Sequence, residues 1–230
     1  MTADPALIEG FVVASESLSP DVRRVVVSTS APYPFRAGQH VALRFEGEGP
    51  LDSYYSYASA ARTEAPYEFE LAVGRGTGER PPEVPIGARI VISSPRGAGM
   101  LERIPPARSL LLVATGTGVA PLRALIEEAH RLEVAVPVRL LHGCRTEADR
   151  LFAAQFEALA ERGWLGYFPV LSRPSAGWRG LVGHVQDHLA RVLVDRPVCA
   201  VCGSMTMVED VTRLLLEQGV DAVDIFAEGY

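Results

Sequence analysis

The hydrophobic pattern of the chain changes after about residue 104. Before that point, short runs rich in Val, Ile, Tyr and Phe alternate with polar residues and are separated by Gly and Pro. Alternation with a period of two is typical of strands with one buried face, so this half predicts an antiparallel sheet or a small closed barrel. The runs cover residues 7–18, 22–30, 40–47, 53–59, 67–74 and 88–95.

The second half alternates continuous apolar runs with stretches of helical spacing. Pro105 and Pro106 mark a linker before it. Continuous apolar runs are typical of strands buried on both faces, and their alternation with helices predicts a parallel sheet covered by helices on both faces. We therefore predict two domains, residues 1–104 and 107–230. The predicted strands are 109–114, 136–143, 167–172, 197–204 and 223–230, and the predicted helices are 120–132, 147–163, 185–193 and 207–219.

Composition and charge argue against several classes of function. The net charge of −6 gives no basic footprint for nucleic acid. The first ten residues, MTADPALIEG, have no leader features, and no run reaches the roughly 20 apolar residues that a membrane span needs. Cys144, Cys199 and Cys202 lack the spacing of zinc or iron–sulfur ligands. We therefore expect a cytoplasmic protein with no metal, no membrane span and no nucleic-acid partner.

The first predicted strand of the second half ends in a glycine-rich turn. Parallel sheets bind ligands at the carboxyl ends of their strands, and glycines followed by a helix start let backbone N–H groups approach a phosphate closely. Pro121 suits the first turn of that helix. Taken alone, the turn fits a plain strand–helix connection equally well. The candidate residues are Thr115, Gly116, Thr117, Gly118 and Pro121.

Polar residues also follow the later strands of this half. Arg145 follows the second strand and could reach a phosphate or ribose, or simply be solvated. Ser172 and Arg173 follow the third and could hold an adenosine ribose or its 2′-phosphate, or belong to an ordinary loop. Cys202 and Gly203 end the fourth, where a thiol could be a buried apolar group or part of an active site. Together, these strand ends favour a ligand site.

In the first half, aromatic and hydroxyl side chains cluster on one predicted strand. Tyr55 could stack on a flat ligand, and Ser56, on the opposite face, could hydrogen-bond to the edge of one. A core strand with a polar outer face explains the same residues. The stretch at 72–80, AVGRGTGER, is glycine-rich after a strand and could be a turn or a phosphate cradle.

In their order along the chain, these motifs resemble the ferredoxin–NADP⁺ reductase superfamily over roughly residues 8–230. The resemblance implies a flavin-binding antiparallel β-barrel followed by a Rossmann-like α/β domain that binds NAD(P). It also implies FAD, or alternatively FMN, as the cofactor and NADPH or NADH as the reductant. The motifs are FRAGQHVAL, SYYSYAS, AVGRGTG, GARIVISSPRG, LLLVATGTGVAP, HGCR, LSRP with WRGLVGHV, CGSMTMV and the closing EGY.

The resemblance also assigns roles to single residues. Tyr55 corresponds to the tyrosine that stacks on the isoalloxazine, and Ser56 to the serine near flavin N5. Cys202 corresponds to the cysteine placed against the nicotinamide, with Glu228 assisting there, and Tyr230 to a terminal lid over the flavin. The predicted catalytic residues are Ser56, Cys202, Glu228 and Tyr230. The predicted cofactor-binding residues are Tyr55, Ser56, Tyr57, Ala72, Val73, Gly76, Thr77, Gly78, Thr115, Gly116, Thr117, Gly118, Pro121, Arg145, Ser172, Arg173, Cys202, Gly203, Met207 and Tyr230.

The sequence departs from the family pattern at three positions. Ser53 stands where the family has a phosphate-binding Arg, and Gly78 where it has a Ser. Loss of a charge-assisted contact weakens phosphate binding, although Arg75 or Arg80 could substitute. Ser204 stands where the family usually has Pro. The flavin is therefore expected to be loosely held, to be FMN, or to be anchored in another way.

The leading functional hypothesis is a flavin-dependent NAD(P)H oxidoreductase that passes electrons to a separate acceptor protein. The acceptor could be a ferredoxin, a flavodoxin, an oxygenase or a haem protein. Arg173 beside Ser172 slightly favours NADPH, since a 2′-phosphate binds well to an arginine. Two alternatives stay open: a free-flavin reductase, suggested by Ser53, and a non-catalytic nucleotide-binding subunit of a larger complex.

Overall fold

The computed structural model of the protein describes residues 7–45, 51, 53–74, 83–100, 104 and 108–230. Its backbone divides into two compact units. The first comprises Met1–Arg103 together with Arg123–Leu132, and the second comprises Ile104–Leu122 together with Glu133–Tyr230.

The first unit contains an antiparallel sheet of six strands. The order across it is β4-β3-β6-β1-β2-β5, so β4 and β5 are the two end strands. One isolated bridge between Tyr57 and Leu71 joins the two ends, so the sheet is barrel-like but is not closed by a continuous ladder in the described residues. The predicted antiparallel sheet is confirmed. The strands are β1 Ile8–Ser19, β2 Val22–Thr29, β3 His40–Phe45, β4 Ser53–Ser56, β5 Glu68–Gly74 and β6 Arg89–Ile92.

An aromatic cluster fills the interior of this sheet. Tyr33, Phe35, Tyr57 and Phe69 are all buried, and the rings of Phe35 and Tyr57 stack with centroids 4.1 Å apart. The hydroxyls of Tyr33 and Tyr57 are 2.8 Å apart, and Tyr33 donates to the carbonyl of Ser93 at 2.7 Å. Both phenols thus have polar partners, as buried hydroxyls require. This cluster fixes the chain directly after β4.

The second unit contains a parallel sheet of six strands in the order β10-β9-β8-β7-β11-β12. All its described strand pairs are parallel. The predicted Rossmann-like α/β architecture is confirmed. The strands are β7 Leu110–Thr115, β8 Val138–Cys144, β9 Leu165–Leu171, β10 Leu181–Val182, β11 Val198–Gly203 and β12 Ile225–Gly229, and the helices are α2 Ala153–Glu161, α3 Val185–Val192 and α4 Met205–Glu217. Helix α1, Val119–Arg131, begins in this unit, and its residues from Arg123 onward belong to the first.

The central strands β7 and β11 are apolar on both faces, as the continuous runs predicted. Every residue of β11 is buried, and so are the first five residues of β7. Buried residues of α3 and α4, including Leu189 and Val211, pack in the same core as Leu111 and Val201. Among the described residues, no helix combines the length and apolar character needed to cross a membrane.

The predicted helix over 147–163 is wrong in its first half. A 3-10 turn occupies Glu147–Asp149, and α2 begins only at Ala153. The side chain of Asp149 accepts hydrogen bonds from the Thr146 N–H and hydroxyl at 2.9 and 2.8 Å, which closes the short turn. Phe152 has a φ of 58°, a left-handed conformation that no α-helix can contain. The helical spacing of apolar residues continues through this break, so the pattern alone could not reveal it.

Candidate functional site

The glycine-rich turn after β7 lies against the end of β11. Residues Gly116–Gly118 form a single 3-10 turn, and Gly116 has a φ of 56°. A Cβ atom on Gly118 would overlap the carbonyl of Cys202. Glycine is therefore required here for close packing as well as for the turn. Pro121 lies in the first turn of α1, as its position in the sequence predicted.

The hydroxyl of Tyr230 is bound to this turn. It accepts hydrogen bonds from the N–H of Gly118 at 2.8 Å and from the hydroxyl of Thr117 at 3.0 Å, and it donates to the carbonyl of Thr115 at 3.1 Å. Enclosure of the hydroxyl raises its pKa, although 62% of the residue's surface is exposed. Two donors of the turn thus already hold an oxygen atom. That donor set also fits an oxygen of a diphosphate.

Cys202 and Glu228 are neighbours across β11 and β12. They are paired in the parallel register, Cys202 is 5% exposed, and Glu228 is exposed. Burial, and secondly the charge of Glu228, raises the pKa of the Cys202 thiol to about 12. The thiol is therefore neutral near pH 7, so it can pack against a ligand but is not a thiolate nucleophile. Met207 is buried against Gly203 at the start of α4.

Two further strand ends meet at the same edge of the sheet. The N–H of Ser172 donates to the carbonyl of Cys144 at 3.0 Å, and the N–H of Arg173 to that of Arg145 at 2.7 Å. Both arginine side chains are exposed, and no described residue forms an ion pair with either. The structure thus brings Arg145 and Arg173 together as two available cations.

A group of residues beside these arginines was missed in the sequence. The carboxylate of Glu147 accepts hydrogen bonds from both the N–H and the hydroxyl of Ser175, at 3.0 and 2.6 Å. The guanidinium of Arg150 lies over the ring of Trp178, 5.4 Å from its centroid. These contacts join two segments that are far apart in sequence, and no local pattern indicates them.

In the first unit, the predicted flavin residues lie on an end strand of the sheet. Tyr55 and Ser56 are half-buried on β4, opposite Val41 and His40 of β3. Tyr57 turns its side chain into the aromatic core, so a cofactor contact from it remains a prediction. Ala72 and Val73 are buried on β5. The predicted residues Gly76, Thr77 and Gly78, and the possible substitutes Arg75 and Arg80, lie outside the described residues.

The chain is similar to oxidoreductases over nearly its whole length. The family described as "Oxidoreductase NAD-binding domain" matches residues 112–213. "Ferredoxin--NADP reductase B" of Sorangium cellulosum is 34% identical over 241 residues, covering 96% of this chain and 97% of that protein. A ferredoxin–NAD(P)⁺ reductase component of naphthalene 1,2-dioxygenase/salicylate 5-hydroxylase systems, from Ralstonia sp., is 28% identical over 97% of this chain and 69% of its own length.

Solved structures share the fold. A ferredoxin NADP⁺ reductase from Neisseria gonorrhoeae, whose crystal structure contains FAD and NADP, superposes with a TM-score of 0.83. It is 23% identical, and the match covers 98% of this chain and 99% of that one. With the full-length sequence similarity to the Sorangium reductase, these findings establish that the chain belongs to the ferredoxin–NADP⁺ reductase superfamily.

Proposed function

We propose that the chain is a flavin-dependent enzyme that takes hydride from NAD(P)H and passes electrons to a separate acceptor protein in the cytoplasm. The observation that carries this proposal is the 34% identity to a ferredoxin–NADP reductase over 96% of the chain. In this proposal, residues 1–104 bind the flavin and residues 107–230 bind the nucleotide. The acceptor is a protein such as a ferredoxin, a flavodoxin, an oxygenase or a haem protein.

The turn and strand ends of the second unit support nucleotide binding. The N–H of Gly118 and the hydroxyl of Thr117 already bind a phenol oxygen, so they suit a diphosphate oxygen. Arg145 and Arg173 supply exposed cations at the neighbouring strand ends. We assign the diphosphate to the turn and the adenosine ribose to Ser172 and Arg173. An arginine here favours the 2′-phosphate of NADPH.

The first unit offers an aromatic ring and a hydroxyl for the flavin. Bound flavin accepts a hydride and can release its electrons one at a time. Tyr55 is proposed to stack on the ring system, and the Ser56 hydroxyl to orient its N5 edge. Both side chains are half-buried, which leaves part of each available to a ligand. Ser53 carries no positive charge for a phosphate, so this end of the flavin site is expected to bind weakly.

Three residues of the second unit are proposed to act on the nicotinamide. The neutral thiol of Cys202 would pack against the nicotinamide and help to fix its orientation. The exposed carboxylate of Glu228, on the adjacent strand, would assist in placing the substrate and moving a proton. Tyr230 is proposed to act as a lid that leaves when the nucleotide binds. Its hydrogen bonds to the turn support an interaction with the nucleotide site.

One preparation tests the proposed activity. The protein is purified without added flavin, its visible spectrum is recorded, and NADPH or NADH is added anaerobically. We expect a flavin absorption band that bleaches, with NADPH more effective than NADH, and then recovers on addition of an oxidised ferredoxin. A flavin band that neither nucleotide bleaches would overturn the proposal.

The role of Ser56 is tested separately by stopped-flow reduction of the flavin. Ser56→Ala should slow reduction by about tenfold or more, because a hydrogen bond that orients the reacting edge is lost. Ser53→Ala is the matched control, since it removes a hydroxyl from the same strand without touching the proposed N5 contact. An unchanged rate in Ser56→Ala would remove that residue from the mechanism.

The second candidate is a reductase of free flavin. Ser53, at the position of the family's phosphate-binding arginine, favours it. An NAD(P)H-flavin reductase of Aliivibrio fischeri is 27% identical over 76% of this chain. In this case the purified protein would be colourless, and NAD(P)H oxidation would saturate with added flavin. Flavin bound in nearly equal molar ratio after dialysis would exclude it.

A further inference from the structure

The loop after β9 is built against the segment after β8. Both segments leave the sheet at its carboxyl edge, and two backbone hydrogen bonds join their first residues, from Ser172 to Cys144 and from Arg173 to Arg145. Past Arg173, residues 174–180 contain one proline, two glycines and an exposed serine, and the two glycines would give an unanchored loop many accessible conformations. The position of Arg173 therefore depends on what holds the rest of the loop.

Glu147 is the first anchor of this loop. Its Oε1 atom accepts both the N–H and the hydroxyl of Ser175, at 3.0 and 2.6 Å, and these bonds lower the pKa of the Glu147 carboxyl. Glu147 itself lies in the 3-10 turn that Thr146 and Asp149 close with a reciprocal capping box. The carboxylate thus projects from a fixed backbone, and only Pro174 separates its partner Ser175 from Arg173.

Trp178 is the second anchor. Its indole N–H donates to the carbonyl of Leu181 at 2.9 Å, and the guanidinium of Arg150 lies over its ring. Gly180 permits this packing, because a Cβ atom there would overlap the indole. The loop is consequently held at Ser175 by Glu147 and at Trp178 by Arg150, both from the segment after β8. The hydrogen bond from Trp178 to Leu181 also holds it to the start of β10.

The charge of Glu147 has the wrong sign for a site that binds phosphate. A carboxylate near Arg173 weakens an anion's attraction to that edge of the sheet. A glutamate at this position is explained if its hydrogen bonds to Ser175 strengthen phosphate binding more than its negative charge weakens it. We propose that Glu147 is a positioning residue that fixes the loop through Ser175 and so holds Arg173 ready for the 2′-phosphate of NADPH. This inference rests on the proposed function.

The two effects of Glu147 predict opposite signs for one substitution. Glu147→Gln keeps the shape, removes the charge and weakens the hydrogen bonds to Ser175. If positioning dominates, the Kd for adenosine 2′,5′-bisphosphate rises by about three- to tenfold, which corresponds to one weakened charge-assisted bond. If only charge matters, the Kd falls. Ser175→Ala changes no charge and should also raise the Kd. Glu161→Gln, an exposed residue at the end of α2, is the charge-matched control and should leave it unchanged.

The experiment is isothermal titration of the flavin-depleted or flavin-loaded protein with adenosine 2′,5′-bisphosphate and, in parallel, with ADP. ADP lacks the 2′-phosphate, so its Kd should be the same in wild type, Glu147→Gln and Ser175→Ala. Equal weakening of both ligands indicates general damage to the fold and overturns the assignment. An unchanged or lower Kd for the bisphosphate in Glu147→Gln overturns it as well.

Steady-state kinetics supply a second readout. The KM for NADPH should rise in Glu147→Gln while kcat stays constant, and the KM for NADH should not change. A wild-type protein that reduces an acceptor but does not bind the bisphosphate would overturn the positioning role and leave the reductase function standing. A wild-type protein that binds the bisphosphate but oxidises neither nucleotide would contradict the reductase function alone.

Discussion

His142 carries its imidazole inside the second unit, on β8. The residue is fully buried, with the rings of Phe156 and Tyr167 each 6.3 Å from it between centroids. Its Nδ1 lies 3.4 Å from the Tyr167 hydroxyl, and Nε2 has no hydrogen-bond partner in the described part of the chain. Burial, and secondly the charge of Arg150, lowers the pKa of the imidazole to about 3. The folded protein therefore holds this histidine neutral.

The protein should lose stability in mild acid because of this residue. The folded-state pKa lies below the ordinary value of about 6.5, so between these two pKa values His142 binds a proton in the unfolded chain but not in the folded chain. The contribution of His142 is complete above about pH 6.5 and falls by up to about 1.4 kcal/mol per pH unit as the pH decreases toward 3. Urea unfolding at a series of pH values should show a shallower decline in His142→Leu than in wild type. Parallel declines would contradict the prediction.

At the scale of elements, an ion cluster joins two strands and a helix within the first unit. Glu70 of β5, only 2% exposed, accepts hydrogen bonds from Arg24 of β2 at 2.7 and 2.8 Å and from Arg123 of α1 at 2.7 Å. Arg62 adds a further bond at 2.6 Å. Burial alone would raise the pKa of Glu70, but Arg24 and Arg123 outweigh it and lower the pKa to about 2. The carboxylate thus stays charged and pairs with all three arginines.

Removal of Glu70 should lower the free energy of unfolding far more than removal of the outer partner Arg62. Glu70→Ala removes the buried carboxylate that Arg24 and Arg123 share and leaves each with only one outer acidic partner, Glu16 and Glu127, so the free energy of unfolding should fall by about 3–5 kcal/mol. Arg62→Ala, whose side chain is 42% exposed, should cost less than about 1 kcal/mol. Urea unfolding of the two variants makes the comparison. Similar small losses would mean that solvent screens the whole cluster.

The sequence predicted those strands and helices whose hydrophobic pattern lies within one short stretch of the chain. The period of two revealed the strands of the first unit, and the buried runs revealed those of the second, because side-chain periodicity reports directly on which faces are covered. It did not reveal the break before α2, since Phe152 keeps the helical spacing while its backbone is left-handed. Nor did it identify partners for Glu70, which lie up to 53 residues away in the chain.

At the scale of the whole molecule, retention of the flavin decides between the two proposed activities. Ser53 is exposed on β4, paired with Leu43, at the position where the family pattern has an arginine. A hydroxyl at this position supplies neither a positive charge nor a bidentate hydrogen bond to a phosphate. The same fold could thus hold a permanent cofactor or exchange it, depending on Ser53 and on the predicted phosphate-binding residues at 76–78, which lie outside the described residues.

Restoring the cation should strengthen flavin binding. Ser53→Arg is expected to lower the Kd for flavin by about tenfold or more, because a hydrogen bond from a charged donor adds about 1.5–3 kcal/mol. The measurement is flavin absorbance per mole of protein before and after dialysis, with Ser53→Gln as the uncharged control of similar length. Equal retention in both variants would show that the phosphate is bound elsewhere.

The candidate site was predictable as a set of strand ends. The placement of the turn, Arg145, Arg173 and Cys202 could be predicted, because topology alone brings the carboxyl ends of parallel strands to one edge. The anchoring of the loop by Glu147 was not predictable, since the bond to Ser175 spans 28 residues and depends on side-chain placement. The position of the Tyr230 hydroxyl, 112 residues from its partner Gly118, lies beyond any local pattern for the same reason.

If a diphosphate binds to the turn as proposed, the hydrogen bonds of Tyr230 make this residue an intramolecular competitor for that ligand. A tethered group competes at an effective concentration that dilution cannot lower, so it sets a fixed penalty on any diphosphate that takes the Gly118 N–H. Tyr230→Phe keeps the ring but removes the oxygen, and should tighten ADP binding by about tenfold, equivalent to about 1–2 kcal/mol of lost hydrogen bonding. Calorimetry with ADP isolates the effect of the hydroxyl, because ADP has no nicotinamide that would compete with the Tyr230 ring for the same space. Unaltered affinity would mean that only the ring competes, and that the hydroxyl merely fastens the chain end.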